Sequence, residues 1–233
     1  MADRDIWAVI PVKDFNQAKS RLAAILDADE RRQLSRVMLR DVLAAASGAT
    51  RIAGIIVVTN DPEAADLAAA VEARVLNGTA NLGPTEAVSA AARLLSAEGH
   101  AGMMSIPGDV PLSTPAEIDL VLDTHDIAPA VSLVPDGDGG GSNAIVCSPP
   151  EVISLSFGEG SFSAHLDTAK QHGIEARVVR PPGLGLDVDH PEDLMAFLEV
   201  RALTLTGKYL EESGIAGRLT TDSSLGKVMR GHG

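Results

Sequence analysis

The 233-residue sequence contains a single cysteine, Cys147, so no internal disulfide can form and no Cys-x-x-Cys pair exists to hold zinc. This scarcity fits a reducing cytoplasm. Aromatic residues make up only 3% of the chain, so the core must come from the aliphatic part of the 45% of residues that are hydrophobic. Basic residues are outnumbered: 19 Lys and Arg stand against 32 Asp and Glu, a net charge of −13, and no basic block compensates. That balance argues against a nucleic-acid partner, which calls for a basic face. No apolar run approaches the roughly 18–20 residues needed to cross a bilayer. The first residues, Met1-Ala2-Asp3-Arg4-Asp5, are charged and do not read as a signal peptide. The expectation is a cytoplasmic protein acting on small molecules, with no membrane partner and a homodimer left open. An anionic ligand would need locally placed Lys, Arg, backbone N–H groups or metal ions against this acidic background.

Apolar periodicity alternates between strand and helix. Residues 6–12 read as a buried strand, 16–25 as a short helix, and 28–47 as a longer helix with Leu34, Val37, Met38, Val42 and Leu43 on one face. Residues 52–59 form an almost continuous apolar strand, the mark of a sheet covered on both faces. Asp61-Pro62-Glu63 opens a helix. Further helices are expected over 85–97, from Thr114 with a capping-box pattern, over 162–172 and over 191–204. Strands are expected over 71–76, 100–107, 130–134, 144–147 and 175–179. Such alternation implies a mostly parallel, doubly wound α/β sheet with helices on both faces. The division expected is a domain over 1–203 and a C-terminal helical extension or tail over 204–233.

Five segments carry polar chemistry. Pro11-Val12-Lys13, followed by Lys19-Ser20-Arg21, places three cations after the first strand, where open α/β sheets bind ligands. They suit a triphosphate, or else a solvated helix start. In Pro107-Gly108-Asp109-Val110-Pro111 an acid follows directly on a strand, as a metal-binding carboxylate or a turn cap. In Asp187-Val188-Asp189 two carboxylates two residues apart share one face of an extended segment. They repel unless a cation lies between them, and Mg²⁺ or Mn²⁺ takes such oxygen ligands; Asp189 is alternatively an N-cap for the helix at Pro191. Asp138-Gly139-Gly140-Gly141-Ser142-Asn143 reads as an anion cradle or a hairpin loop. Phe157-Gly158-Glu159-Gly160-Ser161 leads into a helix whose free N–H groups attract anions, or which Ser161 simply caps. His165 and His172 lack a partner cluster and read as surface or packing residues. Cys147 reads as a small apolar filler.

The ordered set IPVKDFNQAKSRL (10–22), MLRDVL (38–43), PGDVPLSTPAE (107–117), GGGSNAIVCSPP (139–150), FGEGSFSAHL (157–166) and LGLDVDHPEDL (184–194) resembles the 2-phospho-L-lactate and phosphoenolpyruvate guanylyltransferases of coenzyme F-420 biosynthesis. That resemblance implies a glycosyltransferase-A-like nucleotidyltransferase fold. It implies transfer of GMP from GTP to 2-phospho-L-lactate, phosphoenolpyruvate or 3-phosphoglycerate, with release of pyrophosphate. Carried over by motif, Asp109, Asp187 and Asp189 would hold Mg²⁺ or Mn²⁺. Lys13, Lys19 and Arg21 would meet the GTP phosphates, with Lys13 and Asp109 as the catalytic residues. Ser142, Gly158 and Ser161 would contact the phospho-acid. The chain departs from the family in Asn81-Leu82-Gly83-Pro84-Thr85-Glu86, where many members carry Gly-Leu-Asn. Readings from other classes are a nucleotidyltransferase or metal-dependent glycosyltransferase of the same fold, and a catalytically silent nucleotide-binding module.

Overall fold

The computed structural model describes residues 5–221. Strand β1 (Ile6–Pro11) is an interior strand of a seven-stranded sheet with β2 (Ile52–Val58), β3 (Arg74–Leu76), β4 (Gly102–Ser105), β5 (Ala130–Pro135), β6 (Ser142–Ser148) and β7 (Arg177–Val178). Their order is β3-β2-β1-β4-β6-β5-β7. All neighbouring pairs are parallel except β4–β6 and β5–β6, so one strand, β6, runs against the other six. The reversal follows from the loop at 136–141, which returns the chain as a hairpin instead of a helical crossover.

Side-chain alternation divides the core between the two faces. From β1, Ile6, Ala8 and Ile10 pack with α1 (Ala28–Gly48), α2 (Pro62–Ala69) and α4 (Pro115–Thr124). From the other face, Val9 packs with α3 (Pro84–Glu98) and α5 (Ser161–Gln171). Gly54 in β2 leaves room for the Trp7 ring, since a Cβ there would lie 2.6 Å from it. Among the described residues no helix is long and apolar enough to cross a membrane.

Several sequence expectations shift. Residues 16–25 do not form a helix but two 3-10 turns, Phe15–Gln17 and Ser20–Leu22, joined through Lys19 in the left-handed region at φ 54°. The Asp14 carboxylate accepts from Asn16 N, and buried Asp61 accepts from Phe15 N at 2.9 Å, so local capping wins over helical propagation. The helix at Pro191 ends at Val200 (α6, Pro191–Val200), with Arg201 left-handed at its end. The strands at 100–107 and 175–179 contract to 102–105 and 177–178.

Two further helices, α7 (Leu205–Glu212) and α8 (Ile215–Thr221), follow. Leu210, Ile215 and Leu219 join Leu34, Met38, Leu194 and Phe197 in a third apolar cluster behind α1. The remainder of the expected tail, residues 222–233, lies outside the described residues. Asp41 of α1 pins the start of α7 by accepting from Leu205 N (2.9 Å), Thr206 N (2.8 Å) and the Thr206 hydroxyl (2.7 Å). Thr206 is fully buried, so removing Asp41 leaves its donors without a partner. Asp41→Ala should lower unfolding stability by about 2 kcal/mol in urea titration, while Asp41→Asn retains part of that.

Candidate active site

The polar segments converge at one edge of the sheet, where β1, β4 and β5 end and β6 begins. They enclose a cleft of about 930 Å³. Lys13, Lys19, Arg21, Asp109, Ser142, Gly158, Ser161, Asp187 and Asp189 all line it. Nine residues spread over 177 positions of sequence therefore meet in one place, as the carboxyl-end rule for α/β sheets requires.

One wall is made of carboxylates. Asp109 follows β4 through Pro107 and Gly108, and its carbonyl accepts from Val188 N at 3.1 Å, which ties the 187–189 segment to it. Gly183 makes the approach of that segment possible, because a Cβ there would lie 2.2 Å from the Leu112 carbonyl. Asn143 donates to both the Leu184 carbonyl and the Asp187 carboxylate at 3.1 Å. Between Asp109 and Asp189 lies the Lys19 ammonium. It hydrogen-bonds Asp109 and reaches Asp189 Oδ1 at 2.7 Å, with its side chain only 5% exposed. Burial alone would pull Lys19 down, but the two carboxylates outweigh it and hold its pKa above the ordinary lysine value. Asp189 shows the converse: burial pushes it up, and the Lys19 and Arg21 charges bring it below the usual carboxylate range. Asp187 lacks such a cation; burial and then the Asp109 charge push it up to about 6.

This donor set has the chemistry of a divalent-cation site. Its oxygen ligands are hard, a monovalent cation already bridges two of them, and the third is under-neutralised. Among the described residues no three such ligands converge on a single point, and the Lys19 ammonium fills the space between Asp109 and Asp189. The helix start also resolves the two readings of Asp189. His190 is the N-cap of α6, and Asp193 accepts from both Asp189 N and His190 N, so Asp189 is free for Lys19 and Arg21.

The other wall presents serine hydroxyls and backbone N–H groups, with Asp136, Asp138 and Glu159 also in the loops that carry them. Ser161 is the first residue of α5 and does not cap it; Gly160, left-handed at φ 74°, occupies the N-cap. Ser161 Oγ instead accepts from Ser142 N at 2.9 Å. The Gly158 loop is tied to α3 by Phe157 N donating to Thr85 Oγ1 at 2.9 Å. Thr85 therefore lies in the departing 81–86 segment yet braces the 157–161 loop.

His165 corrects the sequence reading. It is neither at the surface nor simply packed: it is fully buried, with Nδ1 3.0 Å from Ser142 Oγ and Nε2 accepting from Ser156 N at 3.1 Å. Its partners lie nine and twenty-three residues away, which no local pattern shows. His172 conforms, exposed at the end of α5. Cys147 is buried, its thiol pushed up to about 12 by burial, as befits a filler. Asp136 was not anticipated either. It lines the cleft and accepts from Gly141 N at 2.6 Å, which closes the Gly-rich loop.

The fold is that of the glycosyltransferase-A-like nucleotidyltransferases. A protein of Desulfovibrio desulfuricans described as a nucleotide-diphospho-sugar transferase superposes with a TM-score of 0.73 at 16% identity, covering 92% of this chain and 98% of its own. Residues 6–230 match the family described as guanylyl transferase CofC like, and the chain belongs to that family. It is 38% identical over 194 residues to a phosphoenolpyruvate guanylyltransferase of Rubrobacter xylanophilus, covering 81% of this chain and 91% of the relative. It is 29% identical over 227 residues to a 2-phospho-L-lactate guanylyltransferase of Methanobrevibacter smithii, covering 97% and 99%.

Lys19→Met tests the carboxylate wall. Breaking a buried ion pair costs about 3–5 kcal/mol, but Asp189 is 39% exposed and solvent screens part of this, so a loss of about 1–3 kcal/mol is expected. The pKa of Asp189 is depressed in the folded state, so the pairing stabilises the fold above the ordinary aspartate value of 3.8. Denaturation of wild type and variant should therefore differ at neutral pH and converge as the pH falls below that value.

Proposed function

We propose that this protein transfers GMP from GTP to a small phosphorylated three-carbon acid and releases pyrophosphate. The observation that carries this reading is the meeting, in one cleft, of a carboxylate wall suited to a divalent cation and a hydroxyl wall suited to an anion. An oxygen of the acceptor's phosphate attacks the α-phosphorus of GTP. The bond from that phosphorus to the bridging oxygen breaks, and pyrophosphate leaves with the electron pair. The attacking oxygen is already ionised near neutral pH, so no general base is needed. Catalysis here consists of alignment and charge stabilisation.

The charges define each residue's part. Six carboxylates and three Lys or Arg line the cleft, a poor host for two anions without added positive charge. Asp109, Asp187 and Asp189 would hold Mg²⁺ or Mn²⁺, which supplies charge for the phosphates and the departing pyrophosphate. Lys13, exposed at the end of β1 and without an ion pair among the described residues, meets the GTP phosphates directly. Arg21 reaches them from the cleft rim, and Lys19 does so once it is released from Asp109 and Asp189. Ser142, Gly158 and Ser161 receive the phospho-acid. Thr85, Asn143 and Asp61 brace the segments that carry these residues.

Incubation with GTP, Mg²⁺ and equal amounts of phosphoenolpyruvate, 2-phospho-L-lactate and 3-phosphoglycerate, with products resolved by mass, tests the reaction. More than one guanylylated acid is expected, with phosphoenolpyruvate or phospholactate ahead of 3-phosphoglycerate. Chelation should abolish turnover, and Asp187→Asn or Asp109→Asn should lower it by orders of magnitude in a folded protein. No guanylylated product from any of the three acids would refute the reading.

Ser161→Ala should raise KM for the acid with little change for GTP, by the loss of about 1.5–3 kcal/mol expected for one hydrogen bond to a charged group. A shift confined to the GTP KM would move Ser161 to the nucleotide side.

A further inference from the structure

The hydroxyl wall contains a chain of hydrogen bonds whose direction is fixed by its inner end. A backbone N–H can only donate, so Ser156 N–H makes His165 Nε2 an acceptor. A neutral imidazole that accepts at Nε2 carries its proton on Nδ1. Nδ1–H then donates to Ser142 Oγ, 3.0 Å away. With an oxygen lone pair taken by His165, the Ser142 hydroxyl proton is left to point elsewhere. Among the described residues no protein acceptor takes it, and Ser142 lines the cleft. Ser161 is arranged in the same way: its oxygen accepts from Ser142 N, and among the described residues no protein acceptor takes its proton.

We propose that His165 is a positioning residue that turns the Ser142 hydroxyl into an obligatory donor toward the anionic acceptor in the cleft. The inference deepens the functional reading above and rests on it for the identity of that acceptor. Three features of the fold hold the relay in place. His165 is fully buried one helical turn into α5, the Phe157 ring packs edge-on against it at 5.3 Å, and burial lowers its pKa to about 4, which keeps it neutral at working pH. A protonated ring would place an N–H against the Ser156 N–H. The wall therefore offers the acid two oriented neutral donors, without adding a positive charge that would also attract pyrophosphate or free nucleotide. Donors aligned head to tail polarise one another, which strengthens the last of them.

The first test needs no variant. ¹⁵N NMR of histidine-labelled wild-type protein should show His165 protonated at Nδ1 and bare at Nε2 at about neutral pH, where a free histidine is a mixture. An Nε2-protonated ring overturns the proposal whatever the enzyme's substrate proves to be, so this outcome is separate from failure of the guanylyl-transfer reading. The second test uses two variants. In His165→Asn the side-chain amide can place an N–H where Nδ1–H stood. In His165→Gln an acceptor for Ser156 N–H is kept and the donor to Ser142 is lost. The Gln variant should raise the acid KM about tenfold, with kcat and the GTP KM little changed, the size of one weakened hydrogen bond to an anion. The Asn variant should stay within about threefold of wild type. Adding His165→Gln to Ser142→Ala should cost nothing further, because the effect passes through that hydroxyl. Equal effects of Asn and Gln, or additivity with Ser142→Ala, would overturn it. Should neither variant fold, the wild-type tautomer still decides.

Discussion

Three carboxylates crowd the edge of the sheet, and they cannot be left there without a cation. Asp109 sits on the end of a buried strand, and Val188 is bonded to its carbonyl, so Asp187 and Asp189 have no freedom to move away. Lys19 resolves part of this repulsion from inside the protein. Its position is costly, since a non-glycine residue in the left-handed region costs roughly 1–3 kcal/mol and persists only where its surroundings over-determine it. Here they do: Asp14 caps the turn before it, Asp61 holds Phe15, and the two carboxylates grip the ammonium. The loop after β1 is therefore shaped by the charge of residues 90 and 170 positions away.

The same constraint explains how an acidic protein can handle anions. A chain of net charge −13 repels a triphosphate at long range, so attraction must come from groups close to it. The cleft answers with two different devices. On the carboxylate side, negative groups gather positive charge, first Lys19 and then, in the proposed reaction, a metal ion. On the serine side, in the same proposed reaction, neutral N–H and O–H groups serve, at a place where added positive charge would bind every phosphate alike. The first device supplies strength and the second supplies direction, which suits a reaction in which one anion must be turned toward another.

Much of this was legible in the sequence, for a physical reason. β1 and β2 are covered on both faces, so they appear as continuous apolar runs, and the capping box at Thr114 is local chemistry that the structure reproduces with Glu117. Each strand-end motif could be placed at the sheet edge because strand ends are where side chains leave the core. The failures share the opposite character. The expected helix at 16–25 was lost to Asp61 and to a distant pair of aspartates, and His165 was misread because its partners come from β6 and from the loop at 156. Local propensity cannot report a partner that only the fold brings near. Asp189 stayed ambiguous in the sequence because an acid just before Pro191 reads as a metal ligand or as an N-cap, and only Asp193's bonds to both amides, with His190 at the cap, removed the capping role.

The join between the two walls shows how finely such a site depends on register. In β6, Ala144 belongs to the cluster under α1 and Ile145 to the cluster under α5. Strict alternation would send Asn143 toward α5 and Ser142 toward α1. The structure does the reverse: Ser142 reaches His165 on α5, and Asn143 reaches the Leu184 carbonyl and Asp187 on the α1 side. The cause is an irregularity in the pairing with β5, where Val134 faces Ala144 but Pro135 faces Ser142, so that Asn143 is the extra residue of a bulge. A bulge shifts the side-chain parity beyond it and is a common way to re-aim residues beside a site. Pro135 lacks an N–H and so donates no ladder bond at the point where the pairing shifts. The reversed strand then starts at the cleft with two adjacent residues facing opposite walls. One orients the under-neutralised carboxylate and the other completes the serine relay. A straight pairing would have exchanged them, placing a hydroxyl beside Asp187 and an amide beside His165, and neither wall would retain its chemistry.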